Sequence, residues 1–173
     1  MREHALVVGE VTLSSGQTAA YYVDARRALL RPAGFRAAGE LIADAARRLG
    51  ADAVGGPVMA AIPLACAAIA VPGGDELLGF FVRKERKEHG MQRWVEGPVE
   101  PGMRCLVVED TVTTGVSTVA AIERMRAEGL EAVGALCVVD RLAGGTEAIA
   151  AAVDGPFEAL TTVDDVYPDR PDR

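Results

Sequence analysis

Apolar side chains recur at Phe35, Ala38, Leu41, Ile42, Ala45 and Leu49 of FRAAGELIADAARRLG, steps of three and four that predict one helical face, with Gly50 as its stop. Upstream, VTLSS (11–15) and YYVDAR (21–26) flank a glycine-containing turn and predict a hairpin. AVGG, Ala53 to Gly56, predicts a short buried strand, and AAIPLACAAIAV, Ala60 to Val71, a helix of small residues with Pro63 in its first turn. LLGFFVR, from Leu77, and the Val-rich MRCLVVED, from Met103, predict two further strands. VSTVAAIERMRAEG sets Val116, Val119, Ile122 and Met125 three residues apart on a helix face. AVGALCVVD predicts another buried strand, AGGTEAIAAAV a helix, and FEALTTV a last strand.

Strands alternate with helices, and their hydrophobicity is continuous rather than alternating. That combination predicts an α/β fold: a central, mostly parallel sheet flanked by helices on both faces. Ligands of such sheets bind where the strands end at their carboxyl termini. The 173 residues contain no internal repeat or linker and make about one domain. The tail from Asp164 to Arg173, polar and rich in proline, is expected to be poorly ordered.

Composition narrows the function. A net charge of −7 argues against general nucleic-acid binding. No apolar run approaches the roughly 18 residues of a membrane span, and the first residues are too broken by charge and glycine for a signal peptide, so a soluble cytoplasmic protein is expected. Cys66, Cys105 and Cys137 form no CxxC pair; Cys105 and Cys137 read as small core residues. The only two lysines, Lys84 and Lys87, fall in RKERKEHGMQR, where five Lys/Arg face two Glu. This local excess of +3 in an acidic chain, with lysine appearing only here, marks a segment that needs the compact ammonium itself.

The most informative string is CLVVEDTVTTGVSTVAAI. A buried strand ends in Glu109 and Asp110, and Thr111, Val112, Thr113, Thr114 and Gly115 lead to a helix start near Val116 and Ser117. Consecutive N–H groups and hydroxyls at a helix N-terminus form a pocket for a phosphate dianion. No GK[ST] is present, so this is not a nucleotide-binding P-loop. Carboxylates beside a phosphate pocket fit ribose hydroxyls or a bound magnesium, and the whole fits a ribose 5-phosphate.

EDTVTTGVS resembles the phosphoribosyl pyrophosphate (PRPP) signature of the type I phosphoribosyltransferases. The resemblance implies that family's fold with a small N-terminal hood over residues 1–33. It also implies that Glu109 and Asp110 hold the ribose hydroxyls while Thr111 through Ser117 hold the 5′-phosphate. Three other segments resemble the orotate-specific branch, a pentosyltransferase. RKERKEHG is similar to its RKxxKxHG mobile catalytic loop, placed at 84–95, so Arg83, Lys84, Lys87 and His89 are implied PRPP contacts, with Lys87 acting in the transition state. LSSGQTAAYYVDAR is similar to its LKSGxxSPYYFDxR element, which assigns Tyr22 and Val23 to the orotate pocket. VVDR ends in Arg141, implied with Thr113 to hold the orotate ring and carboxylate.

The same resemblance implies Mg²⁺ carried mainly by PRPP, a homodimer with shared active sites, and a place in uridine monophosphate synthesis. The implied catalytic group is Lys87, Lys84 and Asp110. Ser14 and Ala60 stand where the family often carries lysine. Two alternatives remain at this point: transfer to another base, or a non-catalytic PRPP-sensing regulator.

Overall fold

Side chains alternate faces along a strand, so the Val- and Cys-rich runs of this chain serve two helix layers at once. The structure, a computed structural model, describes residues 1–12, 16, 18–86 and 93–173. Ser14, Lys87 and His89 lie outside them.

After a one-turn helix α1 (Arg2–Ala5), β1 (Leu6–Thr12) and β2 (Thr18–Val23) pair antiparallel as a hairpin, Leu6 opposite Val23. Helices α2 (Arg26–Leu29) and α3 (Pro32–Leu49) lead into the main sheet. Its strands are β3 (Ala53–Pro57), β4 (Leu78–Val82), β5 (Val95–Glu96), β6 (Arg104–Val112), β7 (Glu131–Asp140) and β8 (Phe157–Thr162). Their spatial order is β5-β4-β3-β6-β7-β8, parallel throughout except for the antiparallel edge β5. The connections are α4 (Ala61–Ile69), α5 (Val116–Ala127) and α6 (Gly145–Ala152), and α7 (Val163–Val166) follows β8.

On one face Val54, Leu106, Val108, Leu136 and Val138 pack with Ile42 of α3 and Leu64 of α4. On the other, Cys105, Val107, Ala135 and Cys137 pack with Ile122, Met125 and Ile149 of α5 and α6. Burial drives the thiols of Cys105 and Cys137 up to about 12, which suits small core residues.

Two helical faces differ from the expected ones. In α3 the buried positions are Ala38, Gly39, Ile42, Ala43, Ala45 and Ala46, while Leu41 is half exposed. Small residues win that face because α4 comes very close: a Cβ on Gly39 would sit 2.5 Å from the Ala67 carbonyl oxygen. In α5 the buried face is Thr118, Ala121, Ile122 and Met125, and Val116 is exposed. Strict three-residue steps drift round a helix of 3.6 residues per turn, so a stripe read that way leaves the core face at one end.

The tail is also better anchored than its composition predicts. Thr162 and Asp165 form a reciprocal capping box at α7. Beyond it Arg170 bridges Asp164 at 2.7 Å and Asp172 at 2.9 Å, and Tyr21 of β2 donates its hydroxyl to Asp172 at 3.1 Å. Among the described residues no helix is long and apolar enough to cross a membrane.

Neighbouring strands β3 and β6 continue into α4 and α5 on opposite faces of the sheet. A crevice opens beyond their carboxyl ends, the usual ligand position in such a sheet.

Candidate active site

That crevice is a cleft of about 720 Å³. Tyr22 and Val23, at the end of β2, wall one side, and Met59 and Ala60, after β3, wall another. Lys84 enters beyond β4, Asp110, Thr111 and Thr113 come from the end of β6, and Arg141 follows β7.

The acid pair divides because it lies on a strand. Asp110 shares the face of Leu106 and Val108 and lines the cleft. Glu109 turns to the other face, is 6% exposed, and accepts hydrogen bonds from Ser117 Oγ at 3.2 Å and Thr118 Oγ1 at 3.3 Å. Burial, helped by the adjacent Asp110 charge and opposed by the two hydroxyls, pushes its carboxyl up from 4.5 to about 7. Burial also raises Asp110, against the pull of the Thr111 backbone and of Arg26.

Past the acids the backbone turns into α5 through Gly115, whose φ of 75° is a left-handed value that other residues rarely adopt. No side chain caps the helix there. Thr113 and Thr114 are exposed, so hydroxyls and first-turn N–H groups are presented together. The loop rests on the start of α6: a Cβ on Gly145 would lie 2.5 Å from Val112 Cγ1 and 2.7 Å from the Thr113 carbonyl oxygen. Arg141 is tied to the same loop, donating its backbone N–H to the Val112 carbonyl at 2.8 Å.

Tyr22, Val23, Lys84, Asp110, Thr111, Thr113 and Arg141 are therefore brought to one cleft. Val112 is core, and Thr114, Gly115, Val116 and Ser117 form the turn beside it. Arg83 points elsewhere, 3.6 Å from Glu96. Trp94 holds the base of that segment: the Arg124 guanidinium lies 4.6 Å from its ring centroid, Arg86 lies 5.3 Å away, and Glu128 accepts its backbone N–H.

Sequence reasoning missed Arg26 and Asp24, an ion pair at 2.9 Å that lines the cleft, and the supporting Gly145. The position of DAR directly after the YYV strand was the available signal for the first two. Among the described residues no group of three or more His, Cys, Asp or Glu converges as a metal site.

A helix start with open hydroxyls and N–H groups, a carboxylate beside it and cations around a cleft on this sheet suit a sugar-phosphate transferase. The phosphoribosyl transferase domain model matches residues 26–163, and the chain belongs to that family. Its relatives are more particular. It is 47% identical over 167 residues to the orotate phosphoribosyltransferase of Corynebacterium glutamicum (strain R), covering 96% of this chain and 89% of that protein. The crystal structure of Mycobacterium tuberculosis H37Rv orotate phosphoribosyltransferase in complex with Fe(III) dicitrate aligns with a TM-score of 0.86 at 41% identity, covering 96% of this chain and 94% of that one. A structure of the same mycobacterial enzyme in complex with PRPP aligns at 0.80 with 36% identity, covering 95% and 93%.

Proposed function

We infer that the protein is an enzyme that transfers the 5-phosphoribosyl group of PRPP to orotate, giving orotidine 5′-monophosphate and pyrophosphate. The observation that carries this reading is one cleft holding Lys84, Asp110, Thr113 and Arg141 at the carboxyl ends of the strands. Orotate N1 forms the bond to the anomeric carbon and gives up its proton, which the departing pyrophosphate takes, while the carbon–oxygen bond to pyrophosphate breaks and its electron pair leaves with the pyrophosphate oxygen. Positive charge grows on the ribose and negative charge on the leaving group.

Asp110 is the carboxylate that the cleft offers to the ribose hydroxyls. Glu109 braces the phosphate loop from behind through Ser117 and Thr118. Residues 111–117 take the 5′-phosphate on hydroxyls and helix N–H groups. Arg141 pairs with the orotate carboxylate, with Thr113, Tyr22 and Val23 around the ring. Lys84 and Lys87, with His89, stabilise charge that develops only as pyrophosphate departs, the kind of interaction that raises kcat.

A cleft with few carboxylates, Asp110 and Asp24, suits Mg²⁺ that arrives on the substrate's phosphates and neutralises part of their charge. We also propose that all 173 residues form one phosphoribosyltransferase domain, that the enzyme works in the cytoplasm in uridine monophosphate synthesis, and that it is a homodimer with shared sites. A spectrophotometric orotate assay with PRPP and Mg²⁺ tests the reading. Consumption that requires both cosubstrates and collapses in Lys87→Ala is the expected result. Unchanged orotate alongside retained PRPP binding would point to another base or a sensing role.

A further inference from the structure

Tyr21 of β2 stands outside the cleft, one residue before the cleft-lining Tyr22, and is only 4% exposed. Three groups meet it. The Arg141 guanidinium lies 5.5 Å from its ring centroid. The Tyr167 ring approaches edge-on, with centroids 5.3 Å apart and planes at 80°. Its hydroxyl donates to Asp172 Oδ2 at 3.1 Å. Asp172 is itself held by Arg170 at 2.9 Å, and Arg170 by Asp164 at 2.7 Å, with the Arg170 side chain 13% exposed.

We propose that the segment Tyr167–Asp172 acts through Tyr21 as a positioning device for Arg141 and so sets the affinity for the base substrate. This rests on the assignment of Arg141 to the orotate carboxylate. The physical argument is preorganisation. A free arginine loses much rotamer entropy when a carboxylate fixes its fork. An aromatic face under the guanidinium restrains it before the ligand arrives while leaving its N–H edge open for a bidentate pair. A ring serves this way only if it cannot turn, and here an edge contact and a hydroxyl bond from the tail fix its plane. None of these tail residues lines the cleft, so their influence passes through Tyr21 and Arg141.

The test is steady-state kinetics on four proteins: wild type, a variant lacking residues 170–173, Arg141→Gln, and the two changes combined. The expected deletion phenotype is an orotate KM raised about fivefold, the scale of one lost cation–π contact, with kcat and the PRPP KM near wild type. Deletion in the Arg141→Gln background should add nothing, because the two changes remove one interaction. Asp172→Ala in the full chain repeats the test should the deletion variant melt early, and Tyr21→Phe, which keeps the ring, should lie between it and wild type. An orotate KM that rises in Arg141→Gln but not in the deletion or Asp172→Ala overturns the tail's role alone. Independent, multiplying effects in the double variant, or an equal rise in the PRPP KM, also overturn it. If Arg141→Gln leaves the orotate KM unchanged, the Arg141 assignment falls first and the tail's role with it.

Discussion

Glu109 and Asp110 are neighbours in sequence and strangers in environment. The hydroxyls of Ser117 and Thr118 do not offset the desolvation of Glu109, and its carboxyl holds a proton up to about pH 7. The unfolded chain releases that proton near 4.5, so the folded form binds it more tightly between those values. The stability this gives is complete below about pH 4.5, is lost as pH rises to about 7, and stays lost above. Glu109→Gln cannot ionise, so thermal melts of the ligand-free protein should show wild type losing ground to the variant across that window, with a constant difference above it. Parallel curves would remove the raised carboxyl from the account. Asp110→Asn tests the other face of the strand: losing a charged hydrogen-bond acceptor for the ribose should lower kcat/KM for PRPP by roughly ten- to a hundredfold at little change in fold stability. The string EDTVTTGVS made both acids legible, but the assignment of one to the cleft and one to the support depends on which sheet face the cleft occupies. Arg26 went unassigned for a related reason: DAR after the YYV strand marked its position, but only the docking of β2 and α2 over the strand ends brings it near Asp110.

Between the proposed phosphate loop, residues 111–117, and α6 the fit leaves no room for a side chain, so the start of α6 supports that loop without any functional group of its own. In Gly145→Ala the new methyl would meet Val112 Cγ1 at 2.5 Å, the Thr113 carbonyl oxygen at 2.7 Å and the Gly115 nitrogen at 2.9 Å. Two of these are backbone atoms of the phosphate loop, so relief must come from displacing it. The expected cost is ~1–3 kcal/mol of stability, as for other overpacked sites, together with weaker PRPP binding than the stability loss alone would give. Calorimetric titration with PRPP below the melting range separates the two, and unchanged affinity would show that the loop does not depend on this contact. The β–α alternation from Ala53 to Thr162 was legible because most of its strands are continuous apolar runs separated by stretches of helix-forming composition, while only α3, before it, showed steps of three and four. Edge strand β5 was not, since two residues, Val95 and Glu96, carry no periodicity. The tail was misjudged because its charges looked like solvation, whereas Arg170 uses two of them, Asp164 and Asp172, to fold it onto β2.

At the level of the whole molecule, the net charge of −7 must coexist with a site for a highly anionic substrate. The chain meets this by concentrating cations: Arg26, Lys84 and Arg141 surround the cleft, and Lys87 follows close in sequence. Strand order could not be read from the sequence, yet it is the order β4-β3-β6-β7 that sets Lys84, after β4, and Arg141, after β7, on either side of the cleft with Asp110 of β6 between them. If each site combines Asp110 of one subunit with Lys87 of the other, the assembly has a signature that no single variant can give. Lys87→Ala and Asp110→Asn should each keep about a tenth or less of wild-type turnover as pure dimers when PRPP is held below its KM. A dimer containing one subunit of each then has one site with both lesions and one site with neither. Co-expression with two affinity tags, followed by tandem purification of the mixed dimer, should therefore restore orotate turnover well above either parent. If every site were built within one subunit, each would keep one lesion and the mixed dimer would stay as inactive as its parents, leaving the reaction intact but confining it to a single chain. Recovery would instead make dimer formation a condition of catalysis, and activity should fall on dilution through the dimer dissociation range.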